Sequence, residues 1–158
     1  MDTYLISSKS LEKYYCINGD HFGQQYKDHL SDYHQWDQKT HAEEWMLFPN
    51  NIGSRLSLDE TSLSNGELYT VLTNKAAKGR KGSLVAMIKG TKAEKVIDII
   101  KQIPKSKRDK VEEITLDMAG SMNQIAKQCF GKSVKVIDRF HVQKLAYDAL
   151  QEMRIKHR

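Results

Sequence analysis

The sequence contains little that would cross-link a small protein or hold it in a membrane. It has two cysteines in 158 residues, Cys16 and Cys129, far apart and in no paired motif, so we expect reduced thiols rather than a disulfide or a cysteine metal site. No apolar run approaches the roughly 20 residues of a membrane span. The start, Met1–Tyr4, lacks the basic and apolar regions of a secretory signal. These absences predict a cytoplasmic location and no membrane partner.

The composition is that of an ordinary globular chain with a basic balance. Hydrophobic residues make up 39% and charged residues 28%, which excludes a disordered chain, and the length suits one domain or a small domain with an appendage. The formal net charge is +5. A positive chain favours polyanionic partners such as nucleic acid, although many basic proteins bind none.

The first part of the chain, residues 1–51, is predicted to be a small helical segment. Tyr26, Leu30, Tyr33 and Trp36 recur at helical spacing, a stripe that favours packing over DNA readout. Zinc is one interpretation of the four histidines in this segment, but no cysteine pair or helix-spaced histidine pair accompanies them. A solvated face of polar helices is the simpler interpretation. The histidines are His21, His29, His34 and His41.

From Gly53 the pattern changes from helical to extended, and residues 52–158 are predicted to form one domain. Alternation and turn residues predict three strands, then helix, strand, helix, strand and helix. This order predicts an α/β fold: a mixed sheet with flanking helices, incomplete, in the RNase H-like order. The predicted strands are 55–61, 67–74, 83–89, 111–117 and 134–138, and the helices are 92–102, 123–129 and 141 onward, with a loop at 105–108.

Two acids end strands of the same form. Asp59 follows Leu56-Ser57-Leu58 and Asp117 follows Ile114-Thr115-Leu116. Either one alone is also how a chain enters a turn. If the two strands are neighbours, the carboxylates converge and repel each other unless a cation lies between them. Such a pair suits two divalent ions in phosphodiester chemistry, with Mg²⁺ (or Mn²⁺) as the natural choice because it prefers carboxylate oxygens.

Three ordered stretches carry a family resemblance: LSLDETSLSNGELYTVLTNKAAKGRKGSLVAMIKGT, ITLDMAGSM and VIDRFHVQKLAYDALQEMR. They resemble the DDE transposases of bacterial insertion sequences, of the ISL3 type and its ISAon-like relatives, from about Trp36 to Arg158. The resemblance implies an RNase H-like catalytic domain that cuts and joins DNA at transposon ends with two metal ions. It also implies DNA partners (transposon ends and target), self-association in a synaptic complex, and a place at the bacterial nucleoid. The family's first two acids fall on Asp59 and Asp117, which are predicted as catalytic residues and metal ligands.

The third acid of the family has no secure counterpart. The resemblance puts a glutamate on a helix beyond an insertion after Asp138–Val142, so we expect a C-terminally truncated transposase that is inactive or nearly so alone. Glu152 is the one candidate stand-in, 152 − 117 = 35 positions after Asp117, although a glutamate at the edge of an amphipathic helix is usually solvated. The alternative function is a non-catalytic DNA-binding or oligomerising remnant. A nuclease of the same fold has no support beyond the shared acids.

Basic residues supply the predicted DNA contacts. Lys78, Arg80 and Lys81 lie in a glycine-punctuated hairpin loop that would let the backbone approach DNA, and Arg139 follows the last strand. A charged solvent loop is the alternative for the hairpin, and both interpretations stay open for a second cluster, Lys105, Lys107 and Arg108. Further along, Asp138 is either a polar group near the metals or a helix cap. For His141 the alternatives are a proton shuttle, a phosphate contact or a structural role. Glu60 follows Asp59 directly and is expected on the opposite sheet face.

Overall fold

The computed structural model describes residues 6–63 and 66–157, in two compact units that divide between Ala42 and Glu43. The first strand of the sheet, Trp45–Leu47, lies in the second unit. These three residues were predicted as part of the helical segment, and that prediction is wrong: they pair with a strand about 40 residues later. The assignment of residues 1–51 and 52–158 to separate functional domains stays a prediction.

The first unit consists of short helices. Helix α1 (Ser8–Tyr15) begins after Ser7, whose side chain accepts the Ser10 N–H, and α2 (Gly19–Gln25) begins after Asn18, which caps His21 in the same way. A π-helical turn at Tyr26–Leu30 and a 3₁₀ turn at Asp32–Gln35 follow. The two helices approach closely at Gly19, where a Cβ would lie 2.8 Å from the Lys9 Cα. N-terminal helices are therefore present, as predicted.

The second unit is built on a six-stranded mixed sheet in the order β1-β4-β3-β2-β5-β6. Neighbours β1, β4, β3 and β2 pair antiparallel, whereas β2–β5 and β5–β6 pair parallel. The predicted α/β class is confirmed, since a mixed sheet flanked by helices in this order is consistent with an RNase H-like fold. The strands are β1 Trp45–Leu47, β2 Arg55–Ser62, β3 Leu68–Asn74, β4 Leu84–Lys89, β5 Glu113–Leu116 and β6 Val134–Ile137.

One face of this sheet holds the hydrophobic core. Period-two alternation sends Leu56 and Leu58 of β2, and Ile114 and Leu116 of β5, to the same face, where all four are buried. Helices α3 (Ala93–Ile100) and α5 (Gly120–Cys129) contribute the covering layer, with apolar residues at helical spacing. Their buried side chains are Ala93, Val96, Ile97, Ile99, Ile100, Met122, Ile125, Ala126 and Cys129.

The last two elements lie outside the core. Every residue of β6 is exposed, and every described residue of α6 (Arg139–Lys156) is exposed or half-buried. Large apolar side chains are among them, including Ile137, Phe140 and Tyr147, at 52%, 66% and 71% exposed. The predicted apolar stripe of α6 therefore exists as a pattern but packs against little.

One loop prediction is also wrong. Residues Lys105–Arg108 form the short helix α4, which begins directly after Pro104 at the position before the first turn. Across the described ranges, no helix combines the length and apolar composition that crossing a membrane requires.

Candidate metal and DNA site

The register of the parallel pair β2–β5 brings Asp59 and Asp117 to neighbouring positions. Ser57 pairs with Thr115. Asp59 follows Ser57 by two residues, and Asp117 follows Thr115 by two residues. Adjacent strands lie about 4.8 Å apart, and residues two positions apart share a face. Both acids therefore come from the face opposite the core. Asp59 is exposed and Asp117 is half-buried.

Local hydrogen bonds use one oxygen of each carboxylate. Asp59 Oδ1 accepts the N–H of Glu60 at 2.8 Å, and Asp117 Oδ1 accepts the N–H of Ala119 at 2.8 Å, an Asx turn before α5. Within residues 6–63 and 66–157, neither Oδ2 atom accepts a hydrogen bond from the protein. Each acid thus keeps an oxygen with which to bind a cation or a water.

Glu60 lies on the core face of β2, next to Leu58, as the alternation predicts. Partial burial raises the pKa of the Glu60 carboxyl, and the negative charges of Asp117 and then Asp59 raise it further. Glu60 is therefore affected by Asp117 although the two residues come from opposite sheet faces, because Asp117 lies just beyond the end of β5 and its charge acts on both sides of the sheet. The Glu60 carboxyl is therefore close enough to Asp117 and Asp59 to be affected by the charge of each.

Asp138 stands at the same level one strand further along. Leu116 pairs with Ile137, so the next residues on β5 and β6 are Asp117 and Asp138. Asp138 Oδ1 accepts the N–H of Phe140 at 2.8 Å, the side-chain cap of α6. The sequence left two roles open for Asp138, a polar group near the metals and a helix cap, and the structure shows the helix cap.

The first turns of α6 complete one side of a cleft beside Asp117. The lining residues from α6 are His141, Lys144, Leu145 and Asp148, and Met118 and Ala119 line the other side together with Asp117. Glu152 lies one turn beyond Asp148 and does not line this cleft. Lys144 and Asp148 were not singled out from the sequence, because periodicity predicts the helix but not which of its faces meets Asp117.

The predicted DNA contacts fall at two different ends of the sheet. Asn74 at the end of β3 pairs with Leu56 near the start of β2, so the loop with Lys78, Arg80 and Lys81 lies at the end of the sheet away from Asp117. In that loop Lys78 and Gly79 both have positive φ, 51° and 76°. Arg139, directly after Asp138, lies at the acid end. All four cations were predicted as DNA contacts. The antiparallel β2–β3 register places the three loop cations at the opposite end of the sheet from Arg139.

The second basic cluster is largely structural. Lys107 Nζ donates to Asn50 Oδ1 at 2.7 Å. The Arg108 guanidinium donates to the carbonyl of Ile103 at 2.9 Å and to that of Cys129 at 2.7 Å. Arg108 thereby satisfies a carbonyl at the end of α5 that its helix leaves unpaired. Both cations therefore have structural partners, and DNA contact by this cluster stays a prediction.

His34 and Tyr33 of the first unit belong to an exposed polar cluster. His34 Nε2 lies 3.0 Å from Asp28 Oδ1, and the ammonium groups of Lys27 and Lys39 lie 5.4 and 5.2 Å from the Tyr33 ring centre. Leu30 is 69% exposed, so the predicted stripe is not a buried core. In the described part of the chain no group of three or more His, Cys, Asp or Glu side chains is placed to hold a metal.

Comparison with known proteins gives one family. A search of curated proteins found no match to the chain. The family model of the ISL3-type DDE transposases, described as a transposase, matches residues 56–158, more than half of the chain, and includes both Asp59 and Asp117. DNA transposition is the activity of this family, which binds DNA and typically uses divalent metals. The chain therefore belongs to the ISL3-type DDE transposase family.

Proposed function

We propose that residues 52–158 belong to a metal-dependent transposase domain in which Asp59 and Asp117 are catalytic residues and metal ligands for DNA cleavage and joining. The observation that carries this proposal is the β2–β5 register, which brings the two acids together across parallel strands. The donor set suits Mg²⁺ or Mn²⁺: both donors are carboxylates with an oxygen to spare, and Mg²⁺ usually keeps water or phosphate at its other positions.

Two ions bound here would activate a nucleophilic oxygen and stabilise the leaving oxygen of a phosphodiester. The chain itself contributes the placement of the acids. Hydrogen bonds from the Glu60 and Ala119 amides fix one oxygen of each carboxylate. The transposon ends and target DNA are the proposed substrates, and synapsis of two ends requires self-association.

Titration of Mn²⁺ into the parent chain and into the Asp59→Asn, Asp117→Asn double variant tests the metal assignment. Asparagine keeps the Oδ1 acceptor of each local hydrogen bond, so the fold should survive. A matched control is Glu94→Gln, Asp98→Asn, which removes two exposed charges from α3. We expect calorimetric Mn²⁺ binding by the parent and the control and none by the double variant. Equal binding by all three would overturn the assignment.

The alternative function is DNA binding without catalysis, and one observation favours it. In the described residues the acids do not form a three-ligand group, and losing one member of a catalytic unit commonly costs several orders of magnitude in rate. A remnant of this kind would bind DNA in a salt-dependent way with no strand cleavage in Mn²⁺. Its binding would be retained in the double variant, whereas metal-dependent nicking abolished by the double variant would support the catalytic proposal.

A further inference from the structure

The cleft beside Asp117 has the size and the chemistry of a binding site. Its volume is about 310 Å³, at the lower end of the roughly 300–1,000 Å³ of small-ligand sites. Its walls come from the loop after β5 and from α6. Four of the lining residues are ionisable: Asp117, His141, Lys144 and Asp148.

Helical spacing explains why α6 presents these groups together. His141, Lys144, Leu145 and Asp148 are separated by three, one and three positions, so they form one face of a 3.6-residue helix. Asp138 caps the helix at the level of Asp117, which sets where the first turns run. The face that meets Asp117 thus carries an ammonium and an imidazole.

Lys144 is a cation in this cleft that could bind a ligand. In the structure as described, its ammonium forms no ion pair, in contrast with Lys75, Lys95 and Lys132, each of which pairs with an acid within 3.3 Å. His141 is half-buried, and its ring lies edge-on to Phe140 at 5.7 Å between centres. The Lys144 ammonium therefore keeps its donors available to a ligand.

We propose that this cleft binds a phosphate group of the DNA, with Lys144 as the main contact and His141 as a second donor. The inference rests on the proposed function, because a phosphodiester that reacts at Asp117 must enter this cleft. Two carboxylates in the walls repel a phosphate, and a cation in the same cleft offsets that repulsion. Lys144 is a positioning residue that carries no sequence information, since contacts to phosphate fix register rather than read bases.

Fluorescence anisotropy with a fluorescein-labelled DNA duplex, in EDTA and over a range of salt concentrations, tests the site. Lys156→Ala is the matched control: the same residue type, exposed, on the same helix, and twelve positions further along. We expect Lys144→Ala to weaken binding about fivefold to tenfold near 0.1 M salt and to reduce the salt slope by about 0.9, as for one lost phosphate contact. Lys144→Arg should retain most of the affinity, and Lys156→Ala should stay close to the parent.

A double-mutant cycle locates the phosphate beside Asp117. Without metal, Asp117→Asn should tighten binding by removing a repulsive charge, and its fold-change should differ between the parent and the Lys144→Ala background because both groups act on one phosphate. Equal affinities and slopes for the Lys144→Ala and Lys156→Ala variants, or effects of Lys144 and Asp117 that add without coupling, would overturn the proposal. Mn²⁺ titration distinguishes failure of this proposal from failure of the proposed function. The Lys144→Ala variant should bind Mn²⁺ like the parent. If the parent itself binds no Mn²⁺, the proposed function is contradicted.

Discussion

Glu60 on β2 and Glu67 directly before β3 have pKa values shifted in opposite directions for reasons visible in the structure. Burial and the charges of Asp117 and Asp59 raise the pKa of Glu60. A hydrogen bond from Lys89, and then one from Tyr69, lower the pKa of Glu67. A raised pKa means that the folded state holds the proton more tightly than the unfolded state does. Ionised Glu60 therefore opposes folding, whereas ionised Glu67 favours it.

We expect Glu60→Gln to raise the melting temperature near pH 8 in EDTA and to have little effect near pH 4. The penalty that it removes develops as the pH rises above the ordinary value of 4.5 and is complete above the raised folded pKa. Glu67→Gln is the control of opposite sign: its stabilising contribution exists above 4.5 and is lost as the pH falls through the lowered pKa. Thermal melts across this range measure both. A Glu60→Gln variant that melts lower than the parent near pH 8 would contradict the repulsion of ionised Glu60 by Asp117 and Asp59.

At this scale the sequence predicted positions well and contacts poorly. Alternation put Asp59 and Asp117 on one sheet face and Glu60 on the other, because side-chain direction in a strand depends only on parity. The prediction that Asp59 ends its strand is wrong, since β2 continues to Ser62, whereas Asp117 directly follows β5. It did not predict that Asp117 influences Glu60, since that depends on where β5 ends. The structural roles of Lys107 and Arg108 were equally hidden, as their partners at Asn50 and Cys129 are brought close only by packing.

Among the elements, β6 and α6 differ from the rest in contributing no buried side chain. Most helical stability in proteins comes from tertiary packing, so α6, which buries no side chain, depends on its cap at Asp138 and on the cleft contacts near its start. Periodicity predicted α6 correctly. It missed β1, because three residues are too few to show a period and Trp45–Leu47 become a strand only by pairing with Ile88–Ala86. Periodicity also failed to predict α4, because its four residues are too few to show a helical period.

A chain that ends after Asp138 should therefore fold with nearly the same melting temperature as the full chain. The removed residues bury little apolar surface, and burial is the main source of stability. We expect a shift of a few degrees at most, by circular dichroism, along with loss of the DNA affinity assigned to Lys144.

The informative control for this truncation changes the core instead. Ile125→Ala on α5 removes a fully buried side chain and should cost about 2–5 kcal/mol. A truncation that destabilises the chain as much as Ile125→Ala would show that α6 packs on the sheet in solution.

For the molecule as a whole, the basic loop after β3 and the acid Asp117 lie at opposite ends of one sheet, and Arg139 lies at the acid end. Lys78, Arg80 and Lys81 follow β3 at one end, and Asp117, Asp138 and Arg139 follow β5 and β6 at the other. If the loop contacts DNA as predicted, this separation would let a duplex bind through the loop without neutralising the acids. DNA affinity would then have two contributions, of which only the one at the acids depends on metal.

We expect the triple variant Lys78→Gly, Arg80→Ala, Lys81→Ala to weaken duplex binding equally in EDTA and in Mn²⁺. Glycine suits position 78 because its φ of 51° is in the left-handed region. If all three cations contact phosphates, the slope of log K against log salt should fall by about 2.7, at 0.9 for each contact. Lys92→Ala, Lys110→Ala, Lys127→Ala removes the same charge from exposed positions. The same loss in both triple variants would indicate a general charge effect and contradict a role for the loop.

The β2–β5 pair also determines when the site can exist during folding. Asp59 and Asp117 are 117 − 59 = 58 positions apart, and the connection between their strands contains β3, β4, α3 and α4. The antiparallel β2–β3–β4 meander forms from local contacts, whereas a parallel pair must wait for its long connection to close. A refolding chain with only the meander has Asp59 without its partner. Cation affinity at the two acids should therefore emerge in the slowest step of folding, together with the closure of the parallel strands.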